Sequence, residues 1–257
     1  MRVHIRGDVA QRCGEIEEDA DVQTESVSYE VAGTTYVGYL ALELGAPKRP
    51  GILVCHEGPG LHAEVKNRCH RLVELGYVAF AVDYIGGGRV LEETADMMAR
   101  LATLRADLDH TRALARAGLD VLLARPEVDP ARVAATGYCF GGTFALELAR
   151  AGAPLACVVG FHSGLATTRP EDARDIKGKI LVCIGADDPL IPPEQRLAFE
   201  QEMRAAKVDW RMNLYGNAVH GFSNPDADRR NLPGLAYHRP TDARSWHAMR
   251  DLFDETF

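Results

Sequence analysis

The 257-residue chain has no uninterrupted apolar run near the roughly 18 residues that a membrane-spanning helix needs. That excludes an integral helical membrane protein. It also has no surplus of basic charge. Lys and Arg number 29 against 37 Asp and Glu, a formal charge of −8, so no basic face for nucleic acid is expected. Met1 to Ala20 carries Arg2, Arg6 and Arg12 and then a run of acids, without an apolar stretch, and no secretory leader is expected there. Six cysteines (Cys13, Cys55, Cys69, Cys139, Cys157 and Cys183) show no paired spacing and no C-x-x-C. A disulfide framework or a zinc site is therefore disfavoured, and reduced thiols in a cytoplasmic setting are expected. No repeat, low-complexity tract or Gly/Ser linker divides the chain.

What is present is a globular composition, 46% hydrophobic and 26% charged. A compact chain of this length buries roughly three-quarters of its unfolded surface, enough for a core without staples. Residues 1–24 read as a loosely ordered extension and 25–257 as a single domain. Within it, Ser26 to Glu30 and Thr35 to Leu42 alternate apolar and polar residues around Ala32-Gly33-Thr34, a hairpin signal. Then come short apolar runs without alternation: Gly51–Cys55, Val78–Asp83, Arg132–Thr136, Leu155–Phe161 and Lys179–Gly185. Strands of that kind are buried on both faces, which implies a parallel sheet with helices on each side. Helices are expected over Glu64–Leu75, over one long stretch Thr94–Ala124, over Glu194–Ala206 and over Asp242–Phe253, with a last strand at Asp209–Tyr215. Two irregular stretches, Tyr84–Glu93 and Phe222–Thr241, leave the carboxyl ends of strands. In such sheets ligands bind beyond those ends, so both are expected pocket walls or lids.

The most informative segment runs from strand into helix through Gly137-Tyr138-Cys139-Phe140-Gly141, a G-x-C-x-G nucleophile elbow with cysteine in the place of serine. A nucleophile in so sharp a turn needs small residues two positions either side, and Gly137 and Gly141 supply them. The turn places Cys139 at a helix N-terminus, where the dipole favours thiolate, and aims the Phe140 N–H at a developing oxyanion. A thiol nucleophile needs a base and a group to orient it. Asp187 and Asp188 end the strand Lys179–Gly185, and either could orient a histidine. His220 follows the last strand, flanked by Gly221. The order nucleophile, acid, histidine is that of the α/β-hydrolase fold. His162-Ser163 is the rival pair, but it lacks an elbow. The strand Gly51–Cys55 ends in His56-Glu57-Gly58-Pro59-Gly60, where Gly58 is the expected second oxyanion donor and Glu57 is placed to meet the resting thiol. His56-Glu57 is not an H-E-x-x-H zinc site, and Gly86-Gly87-Gly88 does not match a dinucleotide loop.

These residues resemble the dienelactone hydrolase family of α/β-hydrolases. Gly137-Tyr138-Cys139-Phe140-Gly141-Gly142 is similar to that family's elbow, and Cys55-His56-Glu57 to its strand-end motif. Gly185 to Pro192 resembles its acid motif and Val219-His220-Gly221-Phe222 its base motif. The resemblance spans residues from about 25 to the end. It implies a mostly parallel central sheet of about eight strands behind an N-terminal hairpin. Cys139 is then the nucleophile, His220 the base and Asp188 the orienting acid, with Glu57 on the resting thiol and Gly58 and Phe140 as oxyanion donors. No metal or organic cofactor is implied. The family's namesake grips a substrate carboxylate with two arginines. Here Arg89 is displaced and Asn224 stands four residues after His220, which shifts the expectation toward a neutral substrate.

The reading is thus a hydrolase of small carboxylic esters or lactones that works through an acyl-cysteine, as a monomer or homodimer, without nucleic acid or membrane partners. An oxyanion site shaped for tetrahedral charge also suits attack on a phosphotriester. A non-catalytic binding protein that kept the fold is the alternative.

Overall fold

The computed structural model describes residues 22–45 and 47–257. The expected extension falls outside the described residues up to position 21, as does Cys13. The first strand, β1 (Val22–Val31), begins three residues before the expected domain boundary. It pairs antiparallel with β2 (Thr34–Glu43) through a two-residue turn. Ala32 and Gly33 both take positive φ there, 49° and 76°, the geometry whose twist matches that of the flanking strands.

Six further strands follow: β3 (Arg49–Cys55), β4 (Val78–Val82), β5 (Val128–Tyr138), β6 (Cys157–Phe161), β7 (Lys179–Gly185) and β8 (Trp210–Tyr215). They form one eight-stranded sheet in the order β1-β2-β4-β3-β5-β6-β7-β8. β2 meets β4 antiparallel, and every pair from β4 to β8 is parallel. The helices are α1 (Ala63–Glu74), α2 (Thr94–Ala106), α3 (Leu108–Leu123), α4 (Phe140–Arg150), α5 (Pro193–Ala206) and α6 (Arg239–Thr256).

The unalternating apolar runs are explained by two separate cores, since successive strand side chains point to opposite faces. In β3, Leu53 and Cys55 join a core under α3, α4 and α5, with Leu114, Phe144 and Phe199. Ile52 and Val54 join the other, under α1 and α6, with Val65, Leu72, Met249 and Phe253. Each face therefore needs its own apolar set, and a strand carrying both sets reads as continuous.

The structure corrects the single helix expected over Thr94–Ala124. The chain breaks at Asp107, with φ −115° and ψ 86°, and the Asp107 carboxylate accepts the His110 N–H at 2.9 Å to start α3. An aspartate competes with the helix for backbone donors and is favoured at such a start. The break frees α2 to lie over the carboxyl end of the sheet.

Candidate active site

Cys139 sits between β5 and α4 with φ 56° and ψ −123°, a conformation that L-residues rarely adopt. The glycine requirement is literal here. A Cβ on Gly137 would lie 2.1 Å from the Gly141 carbonyl oxygen, and one on Gly141 would lie 2.2 Å from that of Cys55. Backbone faces backbone at both places, so neither side can yield.

Asp188 and Asp187 part company at the end of β7. Asp187 is exposed, whereas Asp188 is buried and its Oδ2 lies 2.8 Å from Nδ1 of His220. The other ring nitrogen, Nε2, is buried without a hydrogen-bond partner among the described residues. His220 and Cys139 line the same cavity of about 670 Å³. Burial pushes the Cys139 thiol up, but the charge of the neighbouring His220 outweighs that and leaves the thiol below its ordinary value. Burial alone would depress His220; the Cys139 thiolate and the Asp188 carboxylate instead raise it. The pair therefore leans toward thiolate and imidazolium.

Gly58 and Phe140 face the cavity as well, the latter as the first residue of α4. Glu57 lines it too, with a carboxylate held by other groups. Its Oε2 accepts from Asn224 Nδ2 at 2.7 Å and meets His62 Nε2 at 3.1 Å, while Arg68 Nη2 lies 3.3 Å from Oε1. Burial pushes the Glu57 carboxyl up, and Arg68 and His62 pull it well below the usual carboxylate range. Arg68, almost fully buried with its guanidinium 3.6 Å from the Tyr138 ring centroid, was absent from the sequence reading. The signal was available: an arginine between Val65, Cys69 and Leu72 occupies the buried face of α1.

The rival pair does not assemble. Ser163 is fully buried and its hydroxyl donates to the Phe161 carbonyl, while His162 turns to Ser223 and to the Cys139 backbone. Of the two expected walls, Asn224 to Leu235 lines the cavity but Tyr84–Glu93 does not. That loop folds back on Asp83, whose carboxylate accepts the N–H groups of Val37, Ile85, Gly86 and Gly88. Its place is taken by α2, through Thr94, Met97, Met98, Leu101 and Arg105. The two positions where the family's arginines were sought do not supply one to the cavity. Arg89 is spent on the Gly86 carbonyl, yet Arg105 and Arg230 reach the cavity from α2 and the Phe222–Thr241 loop. Among the described residues neither forms an ion pair.

No group of three or more His, Cys, Asp or Glu among the described residues is placed to hold a metal ion, and no described helix is long and apolar enough to cross a membrane. A profile of the dienelactone hydrolase family matches residues 37–257. The solved structure of a protein named m3DLH superposes with a TM-score of 0.90 at 47% identity, covering 92% of this chain and 99% of its own. A dienelactone hydrolase-like promiscuous phosphotriesterase, P91, from metagenomic libraries, superposes with a TM-score of 0.88 at 42% identity and the same coverage. The protein usf of Aquifex pyrophilus is 28% identical over 207 residues, 78% of this chain and 87% of that protein.

Proposed function

The chain belongs to the dienelactone hydrolase family, and from that premise we propose that it hydrolyses small carboxylic esters or lactones through an acyl-cysteine intermediate. One observation carries the reading. The strained cysteine at the start of α4 shares a cavity with a histidine whose far nitrogen is held by a buried aspartate and whose near nitrogen is unpartnered.

In the first step the Cys139 thiolate attacks the carbonyl carbon. The oxygen takes the negative charge and is received by the N–H groups of Phe140 and Gly58, donors fixed before charge develops. As the tetrahedral species collapses, the carbon–oxygen bond breaks and the His220 imidazolium gives its Nε2 proton to the departing alkoxide. In the second step neutral His220 takes a proton from water, the hydroxide attacks the thioester, and Cys139 leaves as thiolate while the acid is released. Asp188 keeps the ring oriented and stabilises its charged form throughout. Glu57, engaged by Asn224, His62 and Arg68, leaves the thiol to His220.

The cavity walls favour an apolar acyl or alcohol group, through Met97, Leu101, Ile191 and Leu235, with Arg105 and Arg230 available to a remote anionic substituent. A phosphotriester enters the same scheme by thiolate attack on phosphorus with loss of an alkoxide or aryloxide, a side activity supported by the name of one structural relative. The test is Cys139→Ala assayed on an activated aryl ester, a lactone and an aryl phosphotriester. Loss of turnover on every substrate that the unaltered protein accepts is expected, and retained turnover would remove Cys139 from the reaction.

A further inference from the structure

We infer that His162 is a positioning residue for this site, a neutral imidazole that braces the strained backbone of Cys139 and walls the ring of His220. The inference rests on the proposed role of Cys139 and His220.

The geometry leaves His162 one protonation state. Its Nδ1 lies 3.2 Å from the backbone nitrogen of Cys139, whose N–H is shared with the Phe161 carbonyl at 3.0 Å; a backbone N–H can only donate, so Nδ1 is an acceptor. The ring proton is then on Nε2, which donates to the Ser223 hydroxyl at 2.9 Å. An imidazolium would set N–H against N–H at Cys139. Burial and the neighbouring His220 both push His162 well below its ordinary value, in the same direction.

The groups facing the ring come from every element around it. Cys139 and Tyr138 lie at the end of β5, His220, Phe222 and Ser223 follow β8, Glu57 follows β3 and Arg68 projects from α1. His162 packs edge-on to His220 with ring centroids 5.1 Å apart and to Phe222 at 5.0 Å. Ser223 is held in turn by Arg68, which donates to its carbonyl at 3.1 Å and reaches its hydroxyl at 3.4 Å, and Arg68 ends on Glu57. A chain of buried polar contacts thus runs from the cavity wall to the back of the nucleophile.

Strain points the same way. His162 itself has φ 39°, in the left-handed region that favours glycine, and its N–H is fixed on the Cys183 carbonyl at 2.8 Å. Two adjacent strained residues, joined by a hydrogen bond and set against the base, mark a place where geometry outranks local comfort. If the ring is lost, His220 gains room to turn away from the thiol, and the thiolate loses its partner.

The experiment compares His162→Phe, His162→Asn and Ser223→Ala in the full chain. Asparagine presents an oxygen where Nδ1 stands, so it is the conservative replacement. The readouts are kcat and KM on an aryl ester, the pH midpoint of Cys139 alkylation by iodoacetamide, and the thermal midpoint. For His162→Phe a loss of about 30-fold in kcat is expected, with KM within about threefold and the alkylation midpoint raised by about one pH unit. His162→Asn should recover most of both, and Ser223→Ala should raise the alkylation midpoint by a smaller amount. A folded His162→Phe with unchanged kcat and alkylation overturns the inference, as does a His162→Asn no better than phenylalanine. If the phenylalanine variant fails to fold, Ser223→Ala decides, and an unshifted midpoint there overturns it. Alkylation needs no substrate. An unaltered protein that turns over no ester would therefore count against the proposed hydrolysis while the midpoint still decides on His162.

Discussion

Replacing Asp188 with asparagine separates a cysteine-based site from a serine-based one. Asp188 Oδ2 lies 2.8 Å from His220 Nδ1, and both side chains are buried, 0% and 6% exposed. The amide conserves shape and can still accept the Nδ1 proton, so what is lost is the charge assistance. A buried hydrogen bond to a charged group is worth about 1.5–3 kcal/mol against about 1 for a neutral one. The imidazolium is then less stable by roughly 1–2 kcal/mol, and kcat/KM should fall about 5- to 30-fold. A serine nucleophile, which must build its imidazolium during the reaction, loses on the order of 10⁴ from the same change. The pH profile gives the sign. The competent ion pair exists above the lowered Cys139 value and below the raised His220 value. Asp188→Asn should move the alkaline limb down and leave the acid limb nearly in place, because the thiol ionises beside an imidazolium in both proteins, so the active window narrows from the alkaline side. Iodoacetamide alkylation of Cys139 near pH 6, where the imidazolium persists in both proteins, should change by less than about threefold. A loss of turnover on the order of 10⁴ would refute the preformed ion pair.

Further outcomes can be checked at modest effort. In a thiol titration Cys139 should react far ahead of Cys55, Cys69, Cys157 and Cys183, all fully buried and all held above the ordinary thiol value by burial; comparable rates for the five would contradict the site. Gly137→Ala, whose Cβ would meet the Gly141 carbonyl at 2.1 Å, should destabilise the fold by about 3 kcal/mol or more, a fall in thermal midpoint of roughly 6–12 °C by calorimetry. Arg105→Glu combined with Arg230→Glu should raise KM about tenfold for an aryl ester bearing a remote carboxylate and leave the neutral analogue within about twofold. Equal effects on both esters would show that these arginines do not read charge. The raised value of His220 also links to stability, which is fully present below its unfolded value near 6.5 and lost as pH rises through the folded one. Asp188→Asn should therefore lower the urea midpoint more at pH 6 than at pH 10.

Much of this architecture is legible in the sequence because its causes are local. β7 has the expected bounds, and the elbow is announced by glycines two positions either side of Cys139, although Gly141 answers to the Cys55 carbonyl of another strand. The choice between Asp187 and Asp188 is not local, since adjacent residues share chemistry and differ only in which way the chain turns after Gly185. The clamp on Glu57 is less legible still. Its partners come from α1, from the loop after β3 and from 167 residues away at Asn224, and only the folded chain brings them together. The cavity wall was misplaced for a related reason. A glycine-rich loop after a strand suggests a binding turn, but here Asp83 gathers four of the surrounding N–H groups and folds that loop away from the cavity.

The covalent intermediate tests the central claim most directly. The protein would be mixed with an activated aryl ester, quenched in acid within the first turnover, digested and mapped by mass spectrometry. The account predicts one acyl group per chain on the peptide containing Cys139, accompanied by a matching burst of aryl alcohol. Turnover with no adduct, or with the acyl group on another residue such as Ser163, would contradict it.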